Sequence, residues 1–156
     1  MSRERFQIAP ARSSDLNEIL ALLTAVDLPH DGVADHLDGF VVARDSERRM
    51  TGCAGLERFG AFGLVRSVAV ARDFQRTGLG SSLVSAVLRI ARDAGVSEAV
   101  LLTTTARDFF SRRFSFEETS RKNYEQPFAA SSEWHLPRCS SAVVMRLNLG
   151  SMVTKA

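Results

Sequence analysis

The chain has 156 residues, 45% of them hydrophobic, and a formal net charge of +2. A chain of this length fits one domain, which buries roughly two-thirds of the surface that the unfolded chain exposes. The small net charge favours neither a nucleic-acid partner nor an anionic membrane surface. No stretch approaches the roughly 18 apolar residues of a membrane span. We therefore expect no nucleic-acid partner and no membrane association.

The cysteine pattern and the N-terminus indicate the compartment and exclude a common class of site. Cys53 and Cys139 form neither a CxxC pair nor a Cys/His ligand set, so we expect no metal site. The N-terminal residues MSRERF lack the pattern of a signal peptide. These features predict a reduced, cytoplasmic protein.

The N-terminal part of the chain predicts a strand, a helix and a hairpin. Residues 6–9 form a short apolar strand ended by Pro10, and residues 16–26 carry apolar side chains at helical spacing. A short, weak helix is expected around residues 32–37. Strands at 40–43 and 50–56 flank a polar turn, so the two strands are predicted to pair as a hairpin.

The rest of the chain alternates strands with helices. Strand 64–70 is expected to place Val65, Ser67 and Ala69 on one face. A helix follows through residues 83–91 and ends at Gly95. The remaining elements are a strand at 98–104, a helix at 106–113, a strand from Phe116, a polar loop at 122–138 and a strand at 142–149. The pattern predicts a mixed α/β (α+β) domain over residues 1–150, with one twisted sheet of six to seven strands and about four helices, then a tail at 151–156.

The segment between strand 64–70 and the following helix is the most informative stretch. It contains Gln75-x-x-Gly78-x-Gly80 and opens a helix. Glycine allows close backbone approach to a ligand, and the first helical turn leaves N–H groups that attract an anion. This arrangement predicts a pyrophosphate cradle to which Arg76 can add charge.

Two familiar phosphate-binding motifs fit these glycines less well. A P-loop needs a lysine after its last glycine, where this chain has Ser81, and the three-glycine dinucleotide fingerprint is absent. Two glycines before a helix are also often only a tight turn, and the glycine spacing by itself leaves that alternative open.

The segment Gln75-Arg76-Thr77-Gly78-Leu79-Gly80 resembles motif A of the GNAT (Gcn5-related) acetyltransferases, and Val68-Ala69-Val70 resembles the strand before it. The element order also resembles the GNAT fold from end to end. The resemblance implies acetyl-CoA as cofactor, with pantetheine contacts from the strand and pyrophosphate contacts from the motif. The implied cofactor-binding residues are Val68, Ala69, Val70, Gln75, Arg76, Thr77, Gly78, Leu79, Gly80, Ser81 and Phe110.

A closer resemblance covers several further segments, including Gly52–Glu57, Leu64–Val70, Leu101–Ala106 and Ser140–Met145. These segments are similar to the arsenic-resistance branch of the family. That branch implies transfer of acetyl to the α-amino group of a glutamate analogue such as arsinothricin or phosphinothricin.

An acceptor of this kind carries one or two anionic groups, which suit a guanidinium fork. We therefore expect Arg66 to bind the acceptor; the alternative is a surface arginine on a strand. Thr103 and Thr104 are further candidates for acceptor binding. Ser67 is a lesser candidate, because strand alternation places it on the face opposite Arg66. Threonine is also simply favoured in strands, so a purely structural role stays open for Thr103 and Thr104.

Direct attack of the amine in a ternary complex requires a base, because an α-amino group is protonated near neutral pH. Glu57 is the candidate, directly or through water, against the alternative of an exposed hairpin-end glutamate. Many GNAT members supply the departing thiolate with a proton from a tyrosine. Here Phe109-Phe110 occupies that place and Tyr124 is the only tyrosine, so water is the more economical donor.

One departure from the family concerns stability. Ser115 stands where the family commonly has glycine, and a positive φ there would cost roughly 1–2 kcal/mol.

Two other functions remain open: a protein or peptide N-acetyltransferase of the same fold, and a non-catalytic acyl-CoA-binding sensor. The expected partner is a small-molecule amine acceptor, and the resemblance makes a homodimer plausible.

Overall fold

The computed structural model of the chain describes residues 6–150, which contain seven strands and three α-helices. A 3₁₀ helix, Ala34–Gly39, lies where the sequence predicts a short, weak helix around residues 32–37. In chain order the elements are β1 (Gln7–Pro10), α1 (Leu16–Ala25), β2 (Val41–Arg44), β3 (Met50–Phe59), β4 (Phe62–Val70), α2 (Leu79–Asp93), β5 (Glu98–Thr103), α3 (Arg107–Phe114), β6 (Glu117–Thr119) and β7 (Val143–Asn148).

The seven strands form one sheet in the order β1-β2-β3-β4-β5-β7-β6. Strand β2 is antiparallel to β1 and β3, β4 is parallel to β5, and β7 is antiparallel to β5 and β6. A parallel pair needs a crossover connection, and α2 supplies it between β4 and β5. The predicted mixed sheet of six to seven strands with about four helices is confirmed.

The described residues pack as two compact units. The first comprises 6–55 and 67–87, and the second comprises 56–66 and 88–150. Strands β3 and β4 and helix α2 therefore contribute residues to both. The single domain predicted over residues 1–150 stays a prediction, and the predicted tail at 151–156 lies outside the described residues.

Each unit has its own apolar cluster. In the first, α1 side chains pack with residues of the hairpin strands; the cluster contains Ile19, Leu22, Leu23, Val33, Phe40, Val42, Cys53 and Ala69. In the second, β4, β5 and β7 pack with aromatic residues of the late loop; the cluster contains Leu64, Val100, Tyr124, Phe128, Trp134 and Val144. The segment predicted as a polar loop is therefore anchored by buried aromatic side chains.

Helix α2 forms because its apolar residues recur on one face. Leu79, Leu83, Val84, Val87, Leu88 and Ala91 are each at most 3% exposed. The helix ends at Asp93 and is followed by Gly95, which has φ of +84°; the Val96 amide donates to the Ala91 carbonyl at 2.9 Å. This is the left-handed C-terminal cap expected from the sequence.

None of the helices within residues 6–150 is long and apolar enough to cross a membrane.

Candidate functional site

The glycine-containing turn leads directly from β4 into α2. A 3₁₀ turn at Arg72–Phe74 precedes it. The Gln75 side-chain amide donates to the Val70 carbonyl at 3.0 Å, and the Thr77 hydroxyl donates to the Phe74 carbonyl at 2.5 Å. The first bond ties the turn to the strand and the second lies within the turn, so side chains of the predicted cofactor motif help to hold the shape of their own loop.

Two residues of this turn adopt left-handed backbone conformations. Gly78 has φ of +89° and Arg76 has φ of +67°. Glycine adopts such angles at no steric cost, whereas arginine at +67° is uncommon. The conformation turns the chain sharply just before the first residue of α2, Leu79.

The N-terminus of α2 offers backbone donors beside open space. The Leu79 amide donates to the Thr77 hydroxyl at 3.4 Å, and the Ser82 amide donates to the Gly78 carbonyl at 3.1 Å. A Cβ added at Gly80 would contact only one atom among the described residues, apart from its own helix and its chain neighbours. That atom is Val70 Cγ2, at 3.8 Å. A helix N-terminus that follows such a turn is a common position for a bound phosphate group.

The strand before the turn is interrupted at Ser67, which has φ of +59° and is 8% exposed. The Cys53 thiol donates to the Ser67 carbonyl at 3.4 Å. A left-handed non-glycine residue inside a strand breaks the regular alternation of faces. The simple alternation predicted through Val65, Ser67 and Ala69 is therefore wrong at this point.

The registered pairing of β4 with β5 runs from Phe62↔Glu98 to Val65↔Leu101. Strand β4 itself continues to Val70. The predicted pantetheine-binding residues Val68, Ala69 and Val70 lie beyond that register.

Arg66 and Glu57, the predicted acceptor-binding and catalytic residues, form a buried ion pair. Arg66 Nη1 donates to Glu57 Oε2 at 2.6 Å, and neither side chain has exposed surface. Both residues belong to the second unit. The alternatives of a surface arginine and an exposed glutamate are wrong, because both charges are buried and burial of a charge requires such pairing.

A third charged residue joins this cluster. Arg66 Nη2 lies 3.2 Å from Glu133 Oε1, and the Glu133 side chain is 8% exposed. Sequence reasoning missed Glu133, which lies in the late loop far along the chain from Arg66. The aromatic residues of this polar segment, among them the neighbouring Trp134, are the signal in the sequence that the loop is anchored.

The two candidate threonines differ in their surroundings. The Thr103 hydroxyl accepts a hydrogen bond from the Ala106 amide at 2.9 Å, which holds the turn into α3. Thr104 is exposed. Their acceptor-binding roles stay predictions.

Phe110, a predicted cofactor-binding residue, and Tyr124, the only tyrosine, are both packed against other residues. Phe110 is 6% exposed and packs on Phe109 and Phe116, with ring centroids 5.0 and 5.6 Å away. The Tyr124 hydroxyl donates to the Glu98 carboxylate, and burial, reinforced by Glu98, raises the pKa of Tyr124. Its proton therefore serves a structural hydrogen bond.

Nothing in the described residues resembles a metal centre. Within residues 6–150, no group of three or more His, Cys, Asp or Glu side chains is arranged to hold a metal ion. Cys53 is buried and Cys139 is partly buried, and both are thiols rather than halves of a disulfide.

A family model described as the acetyltransferase (GNAT) family matches residues 9–116. The chain belongs to the GNAT acetyltransferase family. The glycine turn lies within the matched residues, between a strand and a helix.

Solved structures share this fold. An N-acetylglutamate synthase from Neisseria gonorrhoeae, complexed with coenzyme A and L-arginine, is 22% identical with a TM-score of 0.77; the match covers 94% of this chain and 34% of the synthase chain. Rv2747 from Mycobacterium tuberculosis, in complex with CoA and NLQ, is 22% identical with a TM-score of 0.72, over 91% of this chain and 98% of that one. A GNAT-family acetyltransferase from Staphylococcus aureus Mu50 is 16% identical with a TM-score of 0.76, over 93% and 99%.

This chain spans about a third of the length of the synthase. At these identities the structural likeness establishes the fold. No curated protein sequence matches the chain.

Proposed function

We propose that the protein is an acetyl-CoA-dependent N-acetyltransferase that modifies the α-amino group of a small, anionic amino acid. The observation that carries the cofactor is the turn with Gly78 at φ of +89° before α2, in a chain that belongs to the GNAT family. The open space at Gly80 and the amides of the first helical turn fit a pyrophosphate group. In this proposal residues 75–81 hold the pyrophosphate and Val68–Val70 hold the pantetheine arm.

The acceptor class is proposed from the charged cluster of the second unit. The Arg66 guanidinium already binds carboxylates in this structure, at 2.6 Å for Glu57 and 3.2 Å for Glu133. The same fork can bind the carboxylate of an amino acid acceptor. A structural neighbour, the N-acetylglutamate synthase from Neisseria gonorrhoeae, is complexed with coenzyme A, which supports this choice. Arsinothricin and phosphinothricin are the finer proposal, supported by the sequence resemblance alone.

Acetyl-CoA supplies the acetyl group as a thioester. We propose that Arg66 orients the acceptor through its carboxylate. Glu57, whose side chain has no exposed surface, takes through water the proton that the attacking amine loses. A backbone N–H near Val68 would stabilise the negative charge that develops on the carbonyl oxygen. Water protonates the departing thiolate, because Tyr124 is bound to Glu98.

A thiol-release assay tests this proposal with acetyl-CoA and a panel of glutamate, methionine, phosphinothricin, arsinothricin and a short peptide. We expect turnover with the glutamate-like acceptors. Turnover on the peptide alone would replace the proposal with a peptide N-acetyltransferase. Coenzyme A binding without turnover on any acceptor would favour an acyl-CoA sensor.

Arg66→Lys sharpens the test of the acceptor site, because lysine keeps the charge but loses the bidentate fork. We expect a higher acceptor KM and an unchanged Kd for coenzyme A. Arg107→Lys is the matched control, since Arg107 pairs with Glu118 on the surface at the same 2.6 Å.

A further inference from the structure

We propose that Glu133 is a specificity-determining residue whose carboxylate takes the position on Arg66 that the acceptor carboxylate takes during the reaction. The proposal rests on the proposed function, in which Arg66 binds the acceptor. It assigns a role to the late loop and predicts which amines the enzyme rejects.

The contact itself has the chemistry of ligand recognition. Arg66 presents Nη1 to Glu57 and Nη2 to Glu133, at 2.6 and 3.2 Å. A guanidinium binds a side-chain carboxylate and a ligand carboxylate in the same way. Glu133 therefore displays on the protein the group that an amino acid acceptor would present.

Burial decides which partner an acceptor can replace. The Arg66 side chain has no exposed surface, so an anion reaches it only where a present neighbour moves away. Glu57 also has no exposed surface and lies within β3. The Glu133 side chain is 8% exposed and lies on the short 3₁₀ turn Glu133–His135, so it is the carboxylate partner of Arg66 whose side chain reaches the surface.

The backbone beside Glu133 is anchored, so the proposed exchange is a rotation of the Glu133 side chain. Trp134 is 1% exposed, and its ring lies 5.0 Å from that of Phe128. The Arg121 guanidinium lies 4.5 Å above the Trp134 ring, and the indole N–H donates to Glu125 at 3.1 Å. The loop can therefore stay in place while the Glu133 side chain turns outward.

This arrangement selects against neutral acceptors. An acceptor with a carboxylate restores the charge pairing that Arg66 loses when Glu133 leaves. An amine without an anionic group leaves the buried guanidinium with one carboxylate fewer, which is unfavourable. Specificity thus comes from a competing contact within the protein as well as from the contact with the acceptor.

Glu133→Gln tests the proposal, with Glu125→Gln as the matched control in the same loop. Isothermal titration of glutamate into protein saturated with coenzyme A measures acceptor affinity without requiring turnover. We expect Glu133→Gln to bind glutamate roughly tenfold more tightly, as when a competent state populated near one-tenth becomes dominant. Glu125→Gln and the Kd for coenzyme A should not change.

The diamide of glutamic acid, in which both carboxylates are replaced by uncharged amides, tests the specificity. Its weak binding to the parent protein should become stronger in Glu133→Gln, because the diamide no longer has to displace a carboxylate from Arg66. Unchanged or weaker glutamate binding by Glu133→Gln would overturn the proposal, the latter by showing that Glu133 orients Arg66 for the acceptor.

A second variant keeps the test decisive if Glu133→Gln fails to fold. Glu133→Asp retains the charge but shortens the side chain by one methylene, and we expect it also to bind glutamate more tightly. The titration separates this proposal from the proposed function. Tighter glutamate binding by Glu133→Gln without thiol release would support the role of Glu133 and contradict the proposed acetyl transfer. Thiol release with unchanged glutamate affinity would support acetyl transfer and overturn the role of Glu133.

Discussion

The guanidinium of Arg66 and the carboxylate of Glu57 meet at 2.6 Å, and neither side chain has exposed surface. On the surface, Arg107 and Glu118 meet at the same distance with 56% and 51% of their side chains exposed. The two pairs have the same charged groups and the same distance but differ in burial. Comparing them therefore shows how exposure to solvent changes the contribution of an ion pair to stability.

Arg66→Met should lower the free energy of unfolding by about 3–5 kcal/mol, because it leaves buried carboxylates without their guanidinium. Arg107→Met should cost about 0.2–1 kcal/mol, since water already screens that pair. Urea unfolding of both variants measures the difference. Adding Glu57→Gln to Arg66→Met should recover part of the loss, and further destabilisation by that addition would contradict the role of the buried charges.

Gly80→Leu should weaken coenzyme A binding without weakening the fold. Within the described residues and outside its own helix, a Cβ at this position meets only Val70 Cγ2, at 3.8 Å, so it causes no clash. The rest of the leucine side chain would compete with the pyrophosphate proposed to lie there. Leucine also favours a helix over glycine by up to about 1 kcal/mol. Titration calorimetry and thermal unfolding measure the two effects. Intact cofactor affinity would show that the pyrophosphate binds elsewhere.

Ser115→Gly should stabilise the protein by about 1 kcal/mol. Ser115 follows α3 with a positive φ of +66°, and the Phe116 amide donates to the Phe110 carbonyl at 3.2 Å. Glycine removes the Cβ strain of this left-handed cap. Ser111→Gly, inside α3, is the control and should instead cost about 0.5 kcal/mol. Chemical denaturation measures the free energy of unfolding of both variants. A change of the same sign in both would refute the assignment of strain to Ser115.

Stability should fall in acid partly through Asp15. The Arg12 backbone amide, at 2.8 Å, and then Arg44 hold the pKa of Asp15 below its ordinary value of 3.8. The unfolded chain therefore binds a proton more readily than the folded one. The contribution of Asp15 is complete above its unfolded pKa and is lost as the pH falls through the lower, folded pKa.

Asp15→Asn tests this linkage. Urea unfolding from pH 5 to pH 2 should show a shallower loss of stability in Asp15→Asn than in the parent protein. Glu47→Gln, at an exposed position in the turn after β2, is the control and should leave the slope unchanged. Identical slopes for Asp15→Asn and the parent would exclude the proposed role of Asp15.

Local features could be predicted because neighbouring residues create them. The apolar spacing of α2, its C-terminal cap at Gly95 and the glycine turn at Gly78 each depend on a few consecutive residues. The sequence by itself therefore determined the helices, the mixed sheet and the family to which the chain belongs.

Tertiary structure alone decided the charged cluster and the left-handed backbone of Ser67. Glu133 reaches Arg66 only because Trp134 anchors the late loop in the apolar cluster of the second unit, a contact between segments far apart in the chain. Ser67 has no local reason to adopt φ of +59°, so the surrounding structure imposes it. Whether a charge is buried, and which partner it meets, depends on the packing of the whole unit, which no short pattern encodes.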